Sequence, residues 1–265
     1  MPEAISPDAG LQKIYVAGAE LLRQWVVDFI VHISSAKFEC SAPDLNTCTD
    51  ESLPEFAFIG RSNVGKSSLL NMLSGVPDMA RVSVTPGFTK MINFFTMNKC
   101  WRLVDLPGYG YAHAAKGTVS RFNQAVSHYL KARTNLCSIF ALIDSTLEPQ
   151  AIDVDFVHWL VRNEVPFVLV FTKIDRSDSP AAVQANIAAF MERIAAWFVQ
   201  PPAVFTCSSL TGQGRQELLG VVEESMNAIQ AEAVAKLAAE GLPAPSRKEL
   251  AKETKPKRPH PHRPW

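Results

Sequence analysis

The sequence predicts an α/β fold of three layers, a mostly parallel sheet with helices on both faces. Three observations lead there. Apolar runs of four to seven residues alternate with helix-length amphipathic stretches between about residues 55 and 240. Several of these runs are apolar throughout, as strands buried on both faces are. Four polar motifs directly follow four of the runs, at the strand carboxyl ends where open α/β sheets bind ligands.

The elements follow in chain order. Residues 1–10 read as disordered. Leu11, Ile14, Tyr15, Leu21, Leu22, Trp25 and Phe29 recur at helical spacing and predict a helical extension over residues 1–36. Gly18 falls on its apolar stripe, where glycine costs about 1 kcal/mol against alanine. Its apolar stripe suits packing on the domain that follows or docking of a partner, and the scarcity of Lys and Arg on its polar face argues against a membrane surface. Lys37–Cys40 predicts a short strand, and the Ser-, Asp-, Thr- and Pro-rich stretch 41–54 a loop. Phe56–Ile59 predicts a buried strand and Ser68–Leu73 the start of a helix. Residues 76–90 are mostly loop. Met91–Phe95 and Trp101–Val104 form a hairpin about Met97-Asn98-Lys99, the one antiparallel feature. A helix runs to about residue 133. Ser138–Ile143, ending at Asp144, is a buried strand, and Phe156, Trp159 and Leu160 mark a helix. Strand Val165–Phe171, a helix over 180–198, strand Ala203–Thr206 and a helix from near Arg215 to about Glu240 complete a domain over 37–240.

Composition narrows the possibilities. With 265 residues, 47% of them hydrophobic, the chain suits one sizeable domain with extensions. A formal net charge of zero excludes a molecule that coats nucleic acid with its whole surface, but the charge is unevenly spread. Residues 1–60 hold three Lys/Arg against nine Asp/Glu; residues 246–265 hold seven against two. Six prolines between Pro243 and Pro264 predict a disordered basic tail over 241–265, able to clamp phosphate backbones, with Trp265 free to stack on a base. Five scattered cysteines without C-x-x-C spacing predict reduced thiols in a cytoplasmic protein, with no disulfide frame and no zinc site. No signal pattern opens the sequence, and Asp28 and His32 interrupt its longest early apolar run, so no bilayer span is expected.

The motifs carry the chemistry. Gly60-Arg61-Ser62-Asn63-Val64-Gly65-Lys66-Ser67 fits G-x-x-x-x-G-K-[ST] between a strand and a helix. Its glycines let the backbone approach a phosphate, and successive N–H groups at a helix N-terminus face the anion. Lys66 reaches the outer phosphates and the Ser67 hydroxyl binds Mg²⁺. Asp105-Leu106-Pro107-Gly108 puts a carboxylate at a strand end, as Mg²⁺ sites after such loops do, and its glycine lets a backbone N–H approach a terminal phosphate. Thr172-Lys173-Ile174-Asp175 fits [NT]-K-x-D: the Asp175 carboxylate accepts from both N1–H and the 2-amino group of guanine, and the Lys173 stem lies along the base. Adenine would leave that carboxylate unpaired, a discrimination of roughly 10⁴ or more. Cys207-Ser208-Ser209 lies where backbone N–H groups meet the guanine 6-oxo oxygen.

With these elements placed, the chain resembles the translation-factor-related P-loop GTPases, and among them the bacterial EngB family, also called YihA or YsxC. The resemblance rests on Gly60–Asn71, Thr85-Pro86-Gly87-Phe88-Thr89, Ile92–Phe95 and Asp105–Ala112, and covers about residues 37–230. It implies a P-loop GTPase fold, GTP or GDP as ligand, and a part in large ribosomal subunit assembly and in cell division and septation. It further implies a monomer and, with the basic tail, contact with rRNA. Thr89 then contacts Mg²⁺ when the γ-phosphate is present, making Ser67 and Thr89 the metal ligands, and Gly87, Phe88, Thr89, Lys90 and Met91 line the nucleotide. Phe88 stands where the family commonly has a basic residue.

Tyr109 occupies the position after D-x-x-G, where many GTPases place a glutamine that orients the attacking water. A phenol does that job poorly, so slow intrinsic hydrolysis is expected. Asn63 offers a remedy, because in related GTPases an asparagine at this loop position helps to bind K⁺, which plays an arginine finger's electrostatic part. Lys66, Thr89 and Asn63 are therefore the expected catalytic residues. Two other classes stay open on the motifs alone: an ATP-dependent P-loop NTPase or kinase, and a scaffold that holds GTP without hydrolysing it.

Overall fold

The computed structural model describes residues 33–77, 79–80, 91–109, 116–176 and 179–239, without side chains at 116–123 and 237–238. The expected N-terminal helix, residues 81–90 and the basic tail lie outside the described residues. The strands are β1 Ala36–Ala42, β2 Glu55–Gly60, β3 Ile92–Met97, β4 Trp101–Asp105, β5 Leu136–Asp144, β6 Phe167–Thr172 and β7 Val204–Thr206. The helices are α1 Lys66–Ser74, α2 Lys116–Ala132, α3 Ala151–Arg162, α4 Pro180–Ile194 and α5 Arg215–Ala239. Among the described residues, no helix is long and apolar enough to cross a membrane.

The seven strands form one sheet in the order β1-β3-β4-β2-β5-β6-β7. Only β3 runs against the rest, pairing antiparallel with both β1 and β4. β1 is longer than its apolar residues suggest, because the whole stretch from Ala36 opposite Met97 to Ala42 opposite Ile92 finds partners on β3. The β3–β4 turn has Asn98 and Lys99 at φ 49° and 61°, a left-handed pair that suits the twist of a tight hairpin.

β2 shows how the sequence makes the core. All six of its residues are buried, and their period of two serves both faces. Phe56 and Phe58 pack with Leu69 and Leu70 of α1 and Leu218 and Val222 of α5. Ala57 and Ile59 pack on the opposite face with Tyr129 of α2, Val157 and Leu160 of α3 and Phe190 of α4. Each such Phe or Leu contributes roughly 1.5–3 kcal/mol on burial. The long loop before β2 includes one 3₁₀ turn, Leu45–Thr47, capped by the Asp44 carboxylate. The helix read over 180–198 ends at Ile194 and tightens into a 3₁₀ turn, Ala195–Trp197.

Topology places the site. From β2 the chain goes to β3 and β4 on one side, then returns past β2 to β5 on the other. The carboxyl end of β2 therefore stands at a topological switch point, where open α/β sheets leave a crevice.

Candidate functional site at the carboxyl ends of the strands

The loop Gly60–Ser67 leaves β2 and turns into α1. Gly65 is the N-cap, at φ 103°, a left-handed conformation that favours glycine. Gly60 is equally constrained: a Cβ there would lie 2.8 Å from the Leu142 carbonyl oxygen and 2.9 Å from a Val64 methyl. Asn63 is exposed, with φ 64°.

Contacts bind the other motifs to this loop. Lys66 is buried and forms an ion pair with Asp105 at the end of β4. The second Asp105 oxygen accepts a hydrogen bond from Asn93 Nδ2 on β3, at 3.3 Å. Gly108 packs so closely that a Cβ would fall 2.7 Å from the Gly60 carbonyl oxygen. The Thr172 hydroxyl donates to the Val64 carbonyl at 2.6 Å. Lys173 Nζ donates to the Asn63 carbonyl and to Asp144 Oδ2, both at 2.6 Å. Lys173 adopts φ 63°, a left-handed conformation uncommon for a residue with a side chain.

The base-reading segment is tied to the last motif. Ile174 N–H donates to the Cys207 carbonyl, and Cys207 N–H to the Phe171 carbonyl at the end of β6. Burial, with the Asp175 carboxylate alongside, pushes the Cys207 thiol up to about 12, so it is an inert packing group. Ser208 is fully buried; its hydroxyl accepts from Thr211 N–H, and its backbone N–H donates to the Gln213 carbonyl. That backbone donor is engaged within the turn, which leaves Ser209, half-buried, as the more accessible of the pair. Asp175, three residues beyond the end of β6, is half-buried.

The structure thus brings Gly60–Ser67, Asp105–Gly108, Thr172–Asp175 and Cys207–Ser209 to one edge of the sheet. Met91 lies exposed before β3, whereas Gly87, Phe88, Thr89 and Lys90 are outside the described residues. The donor set fits Mg²⁺, a hard cation that takes oxygen ligands: the Ser67 hydroxyl and the Asp105 carboxylate both belong to this edge.

Asp144 and Asp153, two carboxylates beside these motifs, belong to none of them. Asp144 closes β5 as Asp105 closes β4, and a carboxylate ending an apolar run was a visible signal. Asp153 is harder to see. It is 1% exposed in the first turn of α3, on the stripe it shares with Val157 and Leu160. Arg61 Nε contacts its two oxygens at 3.0 and 2.9 Å, and the Tyr109 hydroxyl donates to Oδ1 at 2.9 Å. The Tyr109 ring stacks on Phe156, centroids 4.4 Å apart. Burial, with Asp153 beside it, pushes the Tyr109 hydroxyl well above the usual phenol range, so it stays a donor.

Comparison with known proteins agrees with this arrangement. A family described as "50S ribosome-binding GTPase" matches residues 55–173. A probable GTP-binding protein EngB of Phocaeicola vulgatus is 43% identical over 201 residues, which is 76% of this chain and 100% of that protein. One of the same description from Christiangramia forsetii is 41% identical over 197 residues, 74% of this chain and 99% of the other. Among solved structures, a probable GTP-binding protein EngB superimposes with a TM-score of 0.53 at 22% identity, covering 66% of this chain and 99% of that one. Era, in complex with MgGDPNP and a segment of 16S ribosomal RNA, gives 0.53 at 20% identity over 65% of this chain and 56% of its own. Those two structural likenesses establish the three-layer P-loop fold, and the sequence identity across whole relatives goes further: this chain belongs to the EngB family of P-loop GTPases, which bind GTP and hydrolyse it to GDP and phosphate.

Proposed function

We propose that this protein is a slow, Mg²⁺-dependent GTP switch that acts on the large ribosomal subunit during its assembly, and that normal cell division and septation depend on it. It works as a cytoplasmic monomer. The observation that carries the proposal is the set of contacts from Asp105, Gly108, Thr172 and Lys173 to a single phosphate-binding loop. These contacts support one nucleotide bridging the loop, D-x-x-G and T-K-x-D, with Asp175 reading the base and Lys66 meeting the phosphates.

Lys66 and Asp105 neutralise one another. A nucleotide offers each a new partner, phosphate oxygens for Lys66 and a bound divalent ion for Asp105. Mg²⁺, held by Ser67 and Asp105 and, by family likeness, Thr89, would neutralise charge that builds on the phosphates. Slow hydrolysis follows from Tyr109, whose hydroxyl is committed to Asp153. Asn63 is exposed on the loop, and its side chain is available for K⁺. K⁺ activation predicts faster GTP turnover in KCl than in NaCl at matched ionic strength; equal rates remove it.

The ribosomal part draws on the family description and on the basic run 246–265. Co-sedimentation with separated ribosomal subunits tests it. The expected result is retention on the large subunit with a non-hydrolysable GTP analogue and release with GDP. Deleting residues 243–265 should weaken retention and flatten its salt dependence. Equal retention with both nucleotides, or none on either subunit, defeats the proposal.

A further inference from the structure

The Asp153 cluster has no part in the motifs that define the nucleotide site, yet it touches two of them. Arg61 belongs to the phosphate loop, and Tyr109 follows Gly108 directly. Three independent ties hold these two segments side by side. Gly108 abuts the Gly60 carbonyl. Arg61 and Tyr109 form an isolated parallel β-bridge. Both of their side chains then converge on the one Asp153 carboxylate, which arrives from a third element, α3. Phe156, one turn further along α3, holds the Tyr109 ring.

A buried carboxylate is expensive unless it is paired and hydrogen-bonded, and Asp153 lies where Val157 and Leu160 continue an apolar stripe. A leucine would serve packing alone. The carboxylate instead takes three contacts from residues flanking the Gly60–Gly108 approach. Gly108 is the residue whose backbone N–H can reach a terminal phosphate, a group that GTP has and GDP lacks.

We propose that Asp153 is a positioning residue for the GTP-bound state: from α3 it clasps Arg61 and Tyr109 and so holds Gly108 against the phosphate loop before the γ-phosphate arrives. The ordering of Gly108 is then complete before binding and does not weaken the affinity for GTP. GDP makes no use of Gly108 and gains nothing from the clasp. This inference rests on the GTP-binding assignment of the family.

Two variants of the full-length protein test it. Tyr109→Phe deletes one hydrogen bond and keeps the ring on Phe156. Asp153→Asn keeps the shape and removes the charge. A non-hydrolysable GTP analogue and GDP are titrated against each, with Mg²⁺ present, and single-turnover GTP hydrolysis is measured in parallel. Each variant is expected to weaken the GTP analogue roughly five- to tenfold while GDP stays within about twofold, and the double variant to lose less than the product of the two. Hydrolysis should fall in step. If both nucleotides weaken equally, or neither weakens, the clasp is merely structural and the proposal falls. Should Asp153→Asn fail to fold, Tyr109→Phe decides by the same ratio. A wild-type protein that binds neither nucleotide would overturn the GTP assignment together with the clasp, whereas normal wild-type binding with no change in ratio would overturn the clasp alone.

Discussion

Asp175 and Lys173 show how much depends on single side chains. Lys173 stretches between the Asn63 carbonyl and Asp144, and its stem passes beside Gly65 of the phosphate loop. Asp175 follows two residues later and is half-buried, and on the proposed reading it meets the guanine edge. Asparagine at 175 presents one donor and one acceptor in place of two acceptors, which matches xanthine and opposes guanine. Asp175→Asn should therefore cut GTP affinity and raise xanthosine triphosphate affinity, reversing a preference of roughly 10⁴. Competition titration with the two nucleotides measures it, and an unchanged preference would show that Asp175 does not read the base.

At the scale of elements, α1 carries the phosphate loop at its N-terminus, and α5 secures its other end. Arg215 reaches from the start of α5 to donate from Nε to the Met72 carbonyl at 2.9 Å and from Nη2 to the Leu73 carbonyl at 2.8 Å. These are terminal carbonyls that no intrahelical N–H satisfies, and a cation also suits the negative end of a helix. α1 ends at Gly75, which adopts φ 69° and donates to the Asn71 carbonyl. Arg215→Ala should cost about 1.5–3 kcal/mol in urea unfolding, the range for hydrogen bonds that involve a charged group. Arg215→Lys should recover only part of this, because an ammonium lacks the planar fork. An alanine variant as stable as wild type would show that the cap contributes nothing.

Across the whole molecule, the sheet separates two polar regions. Ligand chemistry gathers at the carboxyl ends of the strands. At the amino ends an ionic network closes the domain, buried at Glu55, Arg102 and Arg133 and exposed at Glu39 and Asp50. Glu55, fully buried at the start of β2, accepts from Arg133 at 2.9 and 2.6 Å and from the Tyr129 hydroxyl at 2.7 Å. Arg102 on β4 extends the network to Glu39 and Asp50. The Arg102 guanidinium beside Glu39 holds that carboxyl below its usual range, and the Ser52 hydroxyl, with Arg102, does the same for Asp50. Both carboxyls bind protons less readily in the folded chain than in the unfolded one. Their stabilisation is therefore complete above the ordinary values of 4.5 and 3.8 and is lost as pH falls through the lower folded values. Asp153, raised by burial, contributes in the opposite sense, its effect lying above its ordinary value of 3.8. The melting temperature should fall between about pH 5 and about pH 3, and Glu39→Gln should flatten that slope. A slope that Glu39→Gln leaves untouched would remove this network as its cause.

The strands and the four motifs were legible because each rests on local chemistry. Phe56–Ile59 is apolar without interruption, so it had to be covered on both faces. Gly60 and Gly65 stand where the chain leaves a buried strand for a helix, Asp105 directly follows an apolar run, and Thr172-Lys173-Ile174-Asp175 follows another. Asp153 and Arg215 carried no such signal, because what they do depends on chain neighbours 92 and 143 positions away. An aspartate in a helix reads as a solvated residue until the fold brings Arg61 and Tyr109 onto it. Glu55, at the head of an apolar strand, likewise gave no hint of Arg133. Local pattern therefore determined the elements, their order and the nucleotide motifs. Only the tertiary structure decided which charges are buried together, since pairing across a sheet is a property of distance in space and leaves no period in the chain.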